Sequence, residues 1–337
     1  MVRRRTGSVT SFDVAKAAGV SQPTVSRAMR DMPSISAATR ERIRQVAEDL
    51  GYVPSDAGRA LSTRATRRVA ILTEELTNPY YPELIQPLRT ALENRGLRTV
   101  LVTDAANDRL TLDSLTDGSY DGIILTTTLR KSPLPRDLSE RQVPHVLVNR
   151  VVDNSTSPSC AIDNALGARA VADLLVTLKH RRIGSLQGPL ATSTGRERAS
   201  ALATALRGHD LHIERALNRR VPFDHNSAFD AALDMLQYQH PTAIACGNDV
   251  IAMGVLSAAR HLGLAVPRDL TVIGFDDIPM SNWPLVGLTT VHCDLEALAS
   301  SAISLLTASM DGTSLGGQTL RIAPHMVLRT THAPTGG

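Results

Sequence analysis

The chain has 337 residues, of which 42% are hydrophobic and 20% charged, a composition that excludes a fibrous or wholly disordered protein. No apolar run approaches the ~20 residues of a membrane-spanning helix, and the basic N-terminus lacks the apolar region of a secretory signal. Three widely spaced cysteines predict reduced thiols in a cytoplasmic protein, and no cysteine or histidine spacing predicts a metal site.

The positive charge is concentrated at the N-terminus. Residues 1–64 hold eleven Lys and Arg against six Asp and Glu, a net +5, whereas the remaining chain holds 25 against 27, a net −2. Such asymmetry favours a nucleic-acid-binding head on a nearly neutral body. Charge alone fits a solvated basic face equally well.

The first predicted elements are two short helices. Thr10 is placed to cap the first helix, and Gly19 makes a tight turn after it. Ser21 is placed to cap the second helix, which has Pro23 in its first turn. Two short helices joined by such a turn are typical of a helix-turn-helix, whose second helix enters the DNA major groove.

A third helix is predicted from Ser36 to Gly51. Its apolar residues Ile43, Val46 and Ala47 follow helical spacing, and Gly51 is the expected stop. Three helices of this size enclose only a small core, which suits DNA reading better than catalysis.

The segment from Val9 to Arg27, VTSFDVAKAAGVSQPTVSR, resembles the DNA-binding headpiece of the LacI/GalR family of bacterial transcriptional regulators. The motif at 51–54, GYVP, resembles the end of that family's third helix, and the resemblance continues to about residue 330. The resemblance implies seven DNA contacts in the headpiece: Thr10, Ser21, Gln22, Pro23, Thr24, Ser26 and Arg27.

Side-chain chemistry divides these contacts into two kinds. Arg27 can donate two hydrogen bonds to guanine, Gln22 can pair with adenine, and Pro23 offers only apolar contact. The hydroxyl groups are suited to phosphates, which fix register without reading sequence. For Thr24 and Ser26, the alternative is that they face the headpiece core.

Residues 54–67 resemble the family's hinge segment. The resemblance implies a hinge helix with Ser55, Gly58 and Leu61 as DNA contacts, and Leu61 matches a leucine that wedges a base step in the minor groove. The family commonly has Asn and Ala where Ser55 and Gly58 stand. Because Gly costs about 1 kcal/mol relative to Ala in a helix, we expect this helix to depend on DNA for folding. A plain flexible linker is the alternative.

From residue 68 onward, strand-like apolar runs alternate with helical stretches, which predicts parallel, doubly wound sheets. A second series begins after a helix predicted at 164–179, so the fold class is α/β: a three-helix helix-turn-helix headpiece plus a two-lobed, periplasmic-binding-protein-like body. Ligands of such sheets bind at the carboxyl ends of the strands, which here face one cleft. The predicted domains are the headpiece (1–53), the hinge and linker (54–67), an N-terminal lobe with the dimer interface (68–163 and 293–320) and a C-terminal lobe (164–292 and 321–337).

Polar motifs follow several predicted strands, beginning with Asn78-Pro79-Tyr80-Tyr81. The resemblance implies that Arg198, Asn248 and Asp276 are polar effector contacts, and their donors and acceptors suit the vicinal hydroxyls of a sugar or nucleoside. The predicted effector contacts are Tyr80, Tyr81, Asn149, Arg198, Phe223, Asn248, Trp283 and Asp276. For four of these residues a role without effector contact remains open: a plain salt bridge for Arg198, lobe-edge packing for Trp283 and surface positions for the two tyrosines.

Separate predictions concern three further residues, Asp249, Asp277 and Lys179. Asp249 is predicted to cap its helix and to be structural. For Asp277, the sequence supports a structural role and a binding role equally. Lys179 stands where the family usually has Gly, which predicts that this turn avoids a positive φ.

The sequence contains none of the common dinucleotide, nucleotide-triphosphate, zinc-protease or serine-hydrolase motifs, so we predict neither an enzyme nor a cofactor. A solute-binding receptor or an α/β enzyme acting on a carbohydrate is the alternative. We expect an effector-responsive transcriptional regulator, most often a repressor of a catabolic or sugar-utilisation operon. The resemblance implies a homodimer on a pseudo-palindromic double-stranded DNA operator, with a sugar or sugar derivative as effector and no membrane partner.

Overall fold

The computed structural model describes residues 9–53, 65–74, 76–103 and 112–335. The chain forms two compact units, Met1–Thr66 and Arg67–Gly337, which we call the head and the body. The predicted hinge contacts Ser55, Gly58 and Leu61 lie outside the described residues. Among the residues that are described, no helix combines the length and the apolarity that crossing a bilayer requires.

The helices and strands follow one another in the predicted alternation. The helices are α1 (Ser11–Ala18), α2 (Gln22–Ala28), α3 (Ala37–Asp49), α4 (Tyr80–Glu93), α5 (Leu112–Thr116), α6 (Leu134–Glu140), α7 (Asn164–Thr177), α8 (Ser193–Arg207), α9 (His225–Gln239), α10 (Asp249–His261) and α11 (Leu295–Met310). The strands are β1 (Arg68–Thr73), β2 (Arg98–Thr103), β3 (Gly122–Leu125), β4 (His145–Val148), β5 (Ser159–Ile162), β6 (Ile183–Gln187), β7 (Asn218–Arg220), β8 (Ala243–Cys246), β9 (Thr271–Ile273), β10 (Thr290–His292), β11 (Thr319–Ile322) and β12 (His325–Val327).

Local capping signals define the head. The Thr10 hydroxyl accepts a hydrogen bond from the Asp13 amide, and the Asp13 carboxylate accepts one from the Thr10 amide at 2.8 Å, so α1 begins with a capping box. Gly19 ends α1 with a φ of 63°, the left-handed conformation that glycine adopts without strain. The three helices enclose a small core whose fully buried members include Val14, Val25 and Ile43.

One expected cap in the head is wrong in detail. Ser21 stands at the N-cap position of α2, but its side chain makes no capping hydrogen bond. The Ser21 hydroxyl instead lies 2.8 Å from the Thr24 hydroxyl, and this side-chain contact takes the place of the capping hydrogen bond.

The body contains two parallel sheets, as the sequence predicts. The first lobe has six strands in the order β11-β5-β4-β3-β1-β2, with α4 and α11 packed on it. The second lobe has four strands in the order β7-β6-β8-β9, with α7 to α10 around it. Strands β3, β4, β5 and β8 are buried along their whole length because helices cover both faces of the sheets.

Antiparallel strands β10 and β12 form a separate two-stranded ribbon. Strand β11 pairs in parallel with β5 over Thr319–Ile322, so it crosses the predicted boundary between residues 320 and 321. The cysteines Cys160, Cys246 and Cys293 are buried free thiols.

The turn after α7 overturns one expectation. Lys179 has a φ of 63° although it is not glycine. The Lys179 amide donates to Val176 O and the His180 amide to Leu175 O, a helix-ending pair of hydrogen bonds that requires a left-handed residue at this position. His180 is buried, and its ring bonds the side chain of Thr242 and the carbonyl of Ala333, so tertiary contacts hold the turn against local preference.

Candidate functional site

The head presents the second helix of its helix-turn-helix as an open surface. Pro23 and Arg27 are exposed one turn apart on α2, whereas Val25 and Ala28 are buried on the opposite face. Gln22 Nε2 donates to the Ser11 hydroxyl at 3.3 Å. Within the part of the head that is described, the Arg27 guanidinium has no ion-pair or hydrogen-bond partner, so it is free to meet an external acceptor.

The other predicted DNA contacts in the head lie around this helix. Thr10 and Ser21 are exposed, and Thr24 and Ser26 are half-buried. The Ser26 hydroxyl accepts a hydrogen bond from Arg30 Nη2 at 2.9 Å. These hydroxyls already have internal partners, so any phosphate contact would share them.

In the body, residues from both lobes surround a narrow cavity of about 20 Å³. The carboxyl ends of parallel strands and the helices that follow them supply these side chains, as expected for doubly wound sheets. Seven of the eight predicted effector contacts lie here, and the full lining is Asn78, Tyr80, Tyr81, Asn149, Arg150, Thr194, Arg198, Phe223, Asn248 and Asp276. All of them are buried.

Trp283 lies apart from this set. It follows the short 3-10 helix Pro279–Asn282 and is 57% exposed. Trp283 is not part of the cavity lining, so the structure does not place it with the other seven predicted effector contacts.

The centre of the cleft is the buried ion pair of Arg198 and Asp276. Arg198 Nη2 lies 2.9 Å from Asp276 Oδ1, and the two side chains are 4% and 5% exposed. Arg198 also donates to Asn164 Oδ1 at 2.8 Å and to Gly247 O at 2.7 Å. Its guanidinium carbon lies 3.7 Å from the centre of the Phe275 ring. The arginine therefore contacts three separate segments of the chain besides lining the cleft.

Asn248 and Asp249 divide the roles that follow β8. Asn248, not Asp249, caps α10, because the Asn248 side chain accepts from the Ile251 amide at 3.0 Å. Asp249 is fully buried and accepts from the Ile278 amide at 3.0 Å and from the Thr290 hydroxyl at 2.5 Å. The expectation of a structural role for Asp249 agrees with these contacts, but the cap assignment is wrong.

Burial changes the acidity of both carboxyls. Burial, together with the nearby charge of Asp276, raises the pKa of Asp249 to about 7. Burial raises the pKa of Asp276 to about 6, although Arg198 opposes the rise. Near neutral pH the buried Asp249 is therefore only partly ionised, whereas Asp276 in the cavity lining is mostly ionised.

Tyr80 and Asn149 connect two strand ends of the first lobe. The Tyr80 hydroxyl donates to Asn149 Oδ1 at 3.1 Å, and the Tyr80 and Tyr81 rings meet edge to face at 5.6 Å. Burial holds the pKa of Tyr80 well above its usual value, so its hydroxyl stays protonated as a donor. Both tyrosines are buried, which excludes the surface alternative for them.

The cavity lining also contains Asn78, Arg150 and Thr194, which were not among the predicted effector contacts, although Asn78 and Arg150 stand in motifs that follow predicted strands. Arg150 directly follows Asn149 at the end of β4, and that position after a buried strand was the available signal. Asp277 takes a structural position instead, because its carboxylate pairs with Arg329 at 2.7 Å and with His292 at 2.9 Å. Across the described ranges, no three His, Cys, Asp or Glu side chains are placed to hold a metal ion.

Comparison with known proteins finds one family match within the head and another within the body. Residues 12–55 match the model of the bacterial regulatory proteins of the lacI family, and residues 172–332 match a periplasmic binding protein-like domain. The transcriptional repressor PurR of Photorhabdus laumondii is 31% identical over 326 residues, covering 95% of this chain and 96% of PurR. The chain belongs to the lacI family.

Other relatives of this lacI-family protein are also repressors. The ribose operon repressor of Escherichia coli is 30% identical, covering 95% of this chain and 98% of that protein. Among solved structures, the complex of the regulator CelR with cellobiose has a TM-score of 0.74 at 28% identity, covering 96% of this chain and 99% of that one. The lac repressor dimer bound to operator and an anti-inducer has a TM-score of 0.85 and covers 97% and 99%, and at 24% identity it supports the fold alone. The lacI-family protein is therefore a DNA-binding transcriptional regulator and not an enzyme.

The raised carboxyl pKa values of this lacI-family body make its stability depend on pH. Between the unfolded pKa of 3.8 and the folded values of about 7 and about 6, the folded state keeps protons that the unfolded state has released. The free energy of unfolding is therefore expected to fall as pH rises through this window. We expect Asp249→Asn to flatten this slope, measured by urea unfolding from pH ~5 to ~8.

Asp230→Asn on exposed α9 is the matched control, since it removes a solvated carboxylate and should leave the slope unchanged. An equal slope in wild type and Asp249→Asn would show that Asp249 ionises normally in the folded protein.

Proposed function

We propose that this lacI-family regulator is a repressor that binds a two-fold-symmetric operator as a homodimer and senses a small polyhydroxylated effector in its cleft. The operon would be a catabolic or sugar-utilisation operon, and the protein would act in the cytoplasm. The observation that carries the proposal is the convergence of seven predicted effector contacts, from both lobes, around one cavity.

The cleft offers the hydrogen-bonding groups that such an effector needs. Asn149, Asn248 and Thr194 supply amide and hydroxyl groups, and Phe223 supplies an apolar face for a sugar ring. The Asp276 carboxylate lies in the same lining, and although it is paired with Arg198 it can accept a further hydrogen bond from an effector hydroxyl. Relatives support this class, because CelR is solved with cellobiose and another relative is a ribose operon repressor.

The size of the cavity connects effector binding to lobe movement. A cavity of about 20 Å³ has room for about one water molecule. A sugar-sized effector must therefore change the angle between the lobes to enter. Allosteric coupling of ~1–3 kcal/mol would change operator affinity about 5–150-fold.

The head supports the DNA-reading half of the proposal. Arg27 and Pro23 form the exposed face for base edges, with Gln22 beside them, and Thr10, Ser21, Thr24 and Ser26 surround this face for phosphate contacts. For the hinge, the resemblance supports Ser55, Gly58 and Leu61 as minor-groove contacts, with Leu61 as the wedge.

Selection from random duplex DNA tests the proposal with the full chain. We expect an enriched sequence with two inverted half-sites, because a two-fold dimer reads a two-fold operator. Sedimentation of the protein with that duplex should give two chains per DNA. A single asymmetric half-site bound by one chain would contradict the proposal.

A further inference from the structure

Two histidines face each other across the ribbon of β10 and β12. His292 ends β10 and His325 begins β12, and the antiparallel register places them directly opposite each other. Their ring centres lie 4.8 Å apart, and the ring planes are inclined at 44°. Residues that stand opposite each other in an antiparallel pair share one face, so both rings belong to the same side of the ribbon.

The hydrogen bonds of the pair leave ring nitrogens available. His292 Nδ1 lies 2.9 Å from Asp277 Oδ2. Among the groups that the structure describes, neither His292 Nε2 nor either ring nitrogen of His325 has a hydrogen-bond partner. The His292 side chain is 38% exposed and His325 is exposed, so an ion can reach both rings from solvent.

Asp277 fixes the orientation of His292. Its other oxygen, Oδ1, accepts from Arg329 Nη2 at 2.7 Å, and Arg329 Nη1 donates to Leu288 O at 2.8 Å, so the carboxylate is held on both sides. Because an ionised carboxylate only accepts, Nδ1 of His292 is the donor and Nε2 of the neutral ring carries the free lone pair. Metal-binding histidines typically donate their second ring N–H in this way. The pairing also offsets the charge of Arg329, which would otherwise oppose a cation here.

The separation of the two rings fits two ligands of one ion. With metal–nitrogen bonds of ~2.0–2.1 Å, two imidazoles that share an ion at roughly right angles have ring centres about 5 Å apart. Imidazole nitrogens suit Zn²⁺, Ni²⁺ and Cu²⁺, whereas Mg²⁺ and Ca²⁺ prefer oxygen ligands. Water would complete the coordination, since the described residues place no third His, Cys, Asp or Glu with the pair.

The pair stands where the chain passes between the lobes. Beyond His292 the chain enters α11, which packs on the first-lobe sheet, and β11 of that sheet precedes His325. Strand β10 also adjoins the second lobe, because His292 forms a parallel bridge with Asp276 after β9. An ion held by both histidines would therefore tie together two passages of the chain between the lobes.

We propose that His292 and His325 together bind one late first-row transition-metal ion of the class of Zn²⁺, Ni²⁺ and Cu²⁺. Neither histidine lines the effector cavity, so this site is separate from the cleft and does not depend on the proposed function. By linking β10 to β12, the ion restrains the passage between the lobes and stabilises the body against unfolding.

Calorimetric titration of the untagged, metal-free full chain tests the proposal. The probes are ZnCl₂, NiCl₂ and CuCl₂, with MgCl₂ as the control that prefers oxygen ligands. We expect one ion of the first three kinds at this site per chain, with Cu²⁺ bound most tightly, and no binding of Mg²⁺. The electron paramagnetic resonance spectrum of the bound Cu²⁺ should show coupling to nitrogen. Equal binding of Mg²⁺, or no saturable binding of the other three ions, would overturn the proposal.

Variants assign the ion to this pair. His292→Gln and His325→Gln should each weaken binding by about 100-fold or more, because two linked ligands bind far more tightly than either one alone. His209→Gln is the matched control and should bind as wild type does. His209 is also exposed and also pairs with a carboxylate, that of Asp173, at 3.3 Å.

The two histidines can be judged separately. Wild-type affinity in His325→Gln, or in a folded His292→Gln, would overturn the proposal, and so would an equal loss in His209→Gln. His292→Gln also removes the contact with Asp277, so urea unfolding without metal checks its fold. If that variant does not fold, His325→Gln decides alone. Added Zn²⁺ should raise the unfolding midpoint of wild type but not that of His325→Gln.

Discussion

Arg27→Ala is expected to reduce strongly the preference for operator over unrelated DNA while leaving weak, salt-sensitive binding to any duplex. Arg27 is exposed on α2 and has no partner within the described head, so its removal should not unfold the head. Each bidentate arginine–guanine contact is worth about 1–3 kcal/mol of discrimination. A dimer loses two such contacts, or about 2–6 kcal/mol of the roughly 4–10 kcal/mol that separates specific from non-specific binding.

Fluorescence anisotropy with the selected operator and a scrambled duplex measures this discrimination across several salt concentrations. Non-specific binding depends on phosphate contacts, so the variant should keep most of its salt dependence. Arg136→Ala is the matched control, because it removes the same charge from exposed α6 of the body. Undiminished discrimination by Arg27→Ala would show that α2 does not read bases through this residue.

The head was predictable because its signals are local. Thr10 and Asp13 are three residues apart, and Gly19 alone determines the turn between α1 and α2. The alternation of apolar runs with helical stretches likewise predicted both sheets, since buried parallel strands form continuous apolar runs. These features depend on neighbours in sequence, which a single chain contains.

The contacts within the cleft depend on residues far apart in sequence. Arg198 was expected to meet an effector, but its partners Asn164 and Gly247 lie 34 and 49 residues away. Asp249 binds groups at positions 278 and 290, so its structural role could not be read from its helix alone. Such pairings follow from the folded topology and leave no local pattern.

Lys179 illustrates how tertiary contacts override local preference. Its residue type argued against a positive φ, yet the helix end and the buried His180 impose one. Residue preference is a matter of about 1–2 kcal/mol, which a few hydrogen bonds can outweigh. The sequence therefore predicts which polar residues line the cleft better than it predicts the hydrogen-bond partners of each one.

Arg198→Ala is expected to destabilise the body strongly and to remove its response to effector. The change leaves Asp276 as a buried charge without its partner, and it strips Asn164 and Gly247 of their donor. Breaking one side of a buried ion pair typically costs about 3–5 kcal/mol. The exposed pair of Arg136 and Glu140 is the control, because Arg136→Ala should cost only about 0–1 kcal/mol.

The pH dependence of this loss identifies its cause. Asp276 has a pKa of about 6 with Arg198 present, and without the arginine its pKa should rise further. A carboxyl group whose pKa is higher in the folded state than in the unfolded state stabilises the protein at low pH. That contribution to the free energy of unfolding is lost as pH rises through the folded pKa. The destabilisation by Arg198→Ala should therefore be larger at pH ~8 than at pH ~5.5, where a protonated Asp276 carries no unpaired charge.

Trp283 provides the signal for this measurement, because it is the single tryptophan of the chain and lies in the body. Urea unfolding followed by its fluorescence gives the free energy at each pH, and Asp276→Asn added to Arg198→Ala should restore part of the loss at pH ~8. Operator binding should survive at acidic pH, since the head folds around its own core. A variant as stable as wild type at both pH values, and still responsive to effector, would mean that the Arg198–Asp276 pair neither holds the cleft together nor transmits the signal.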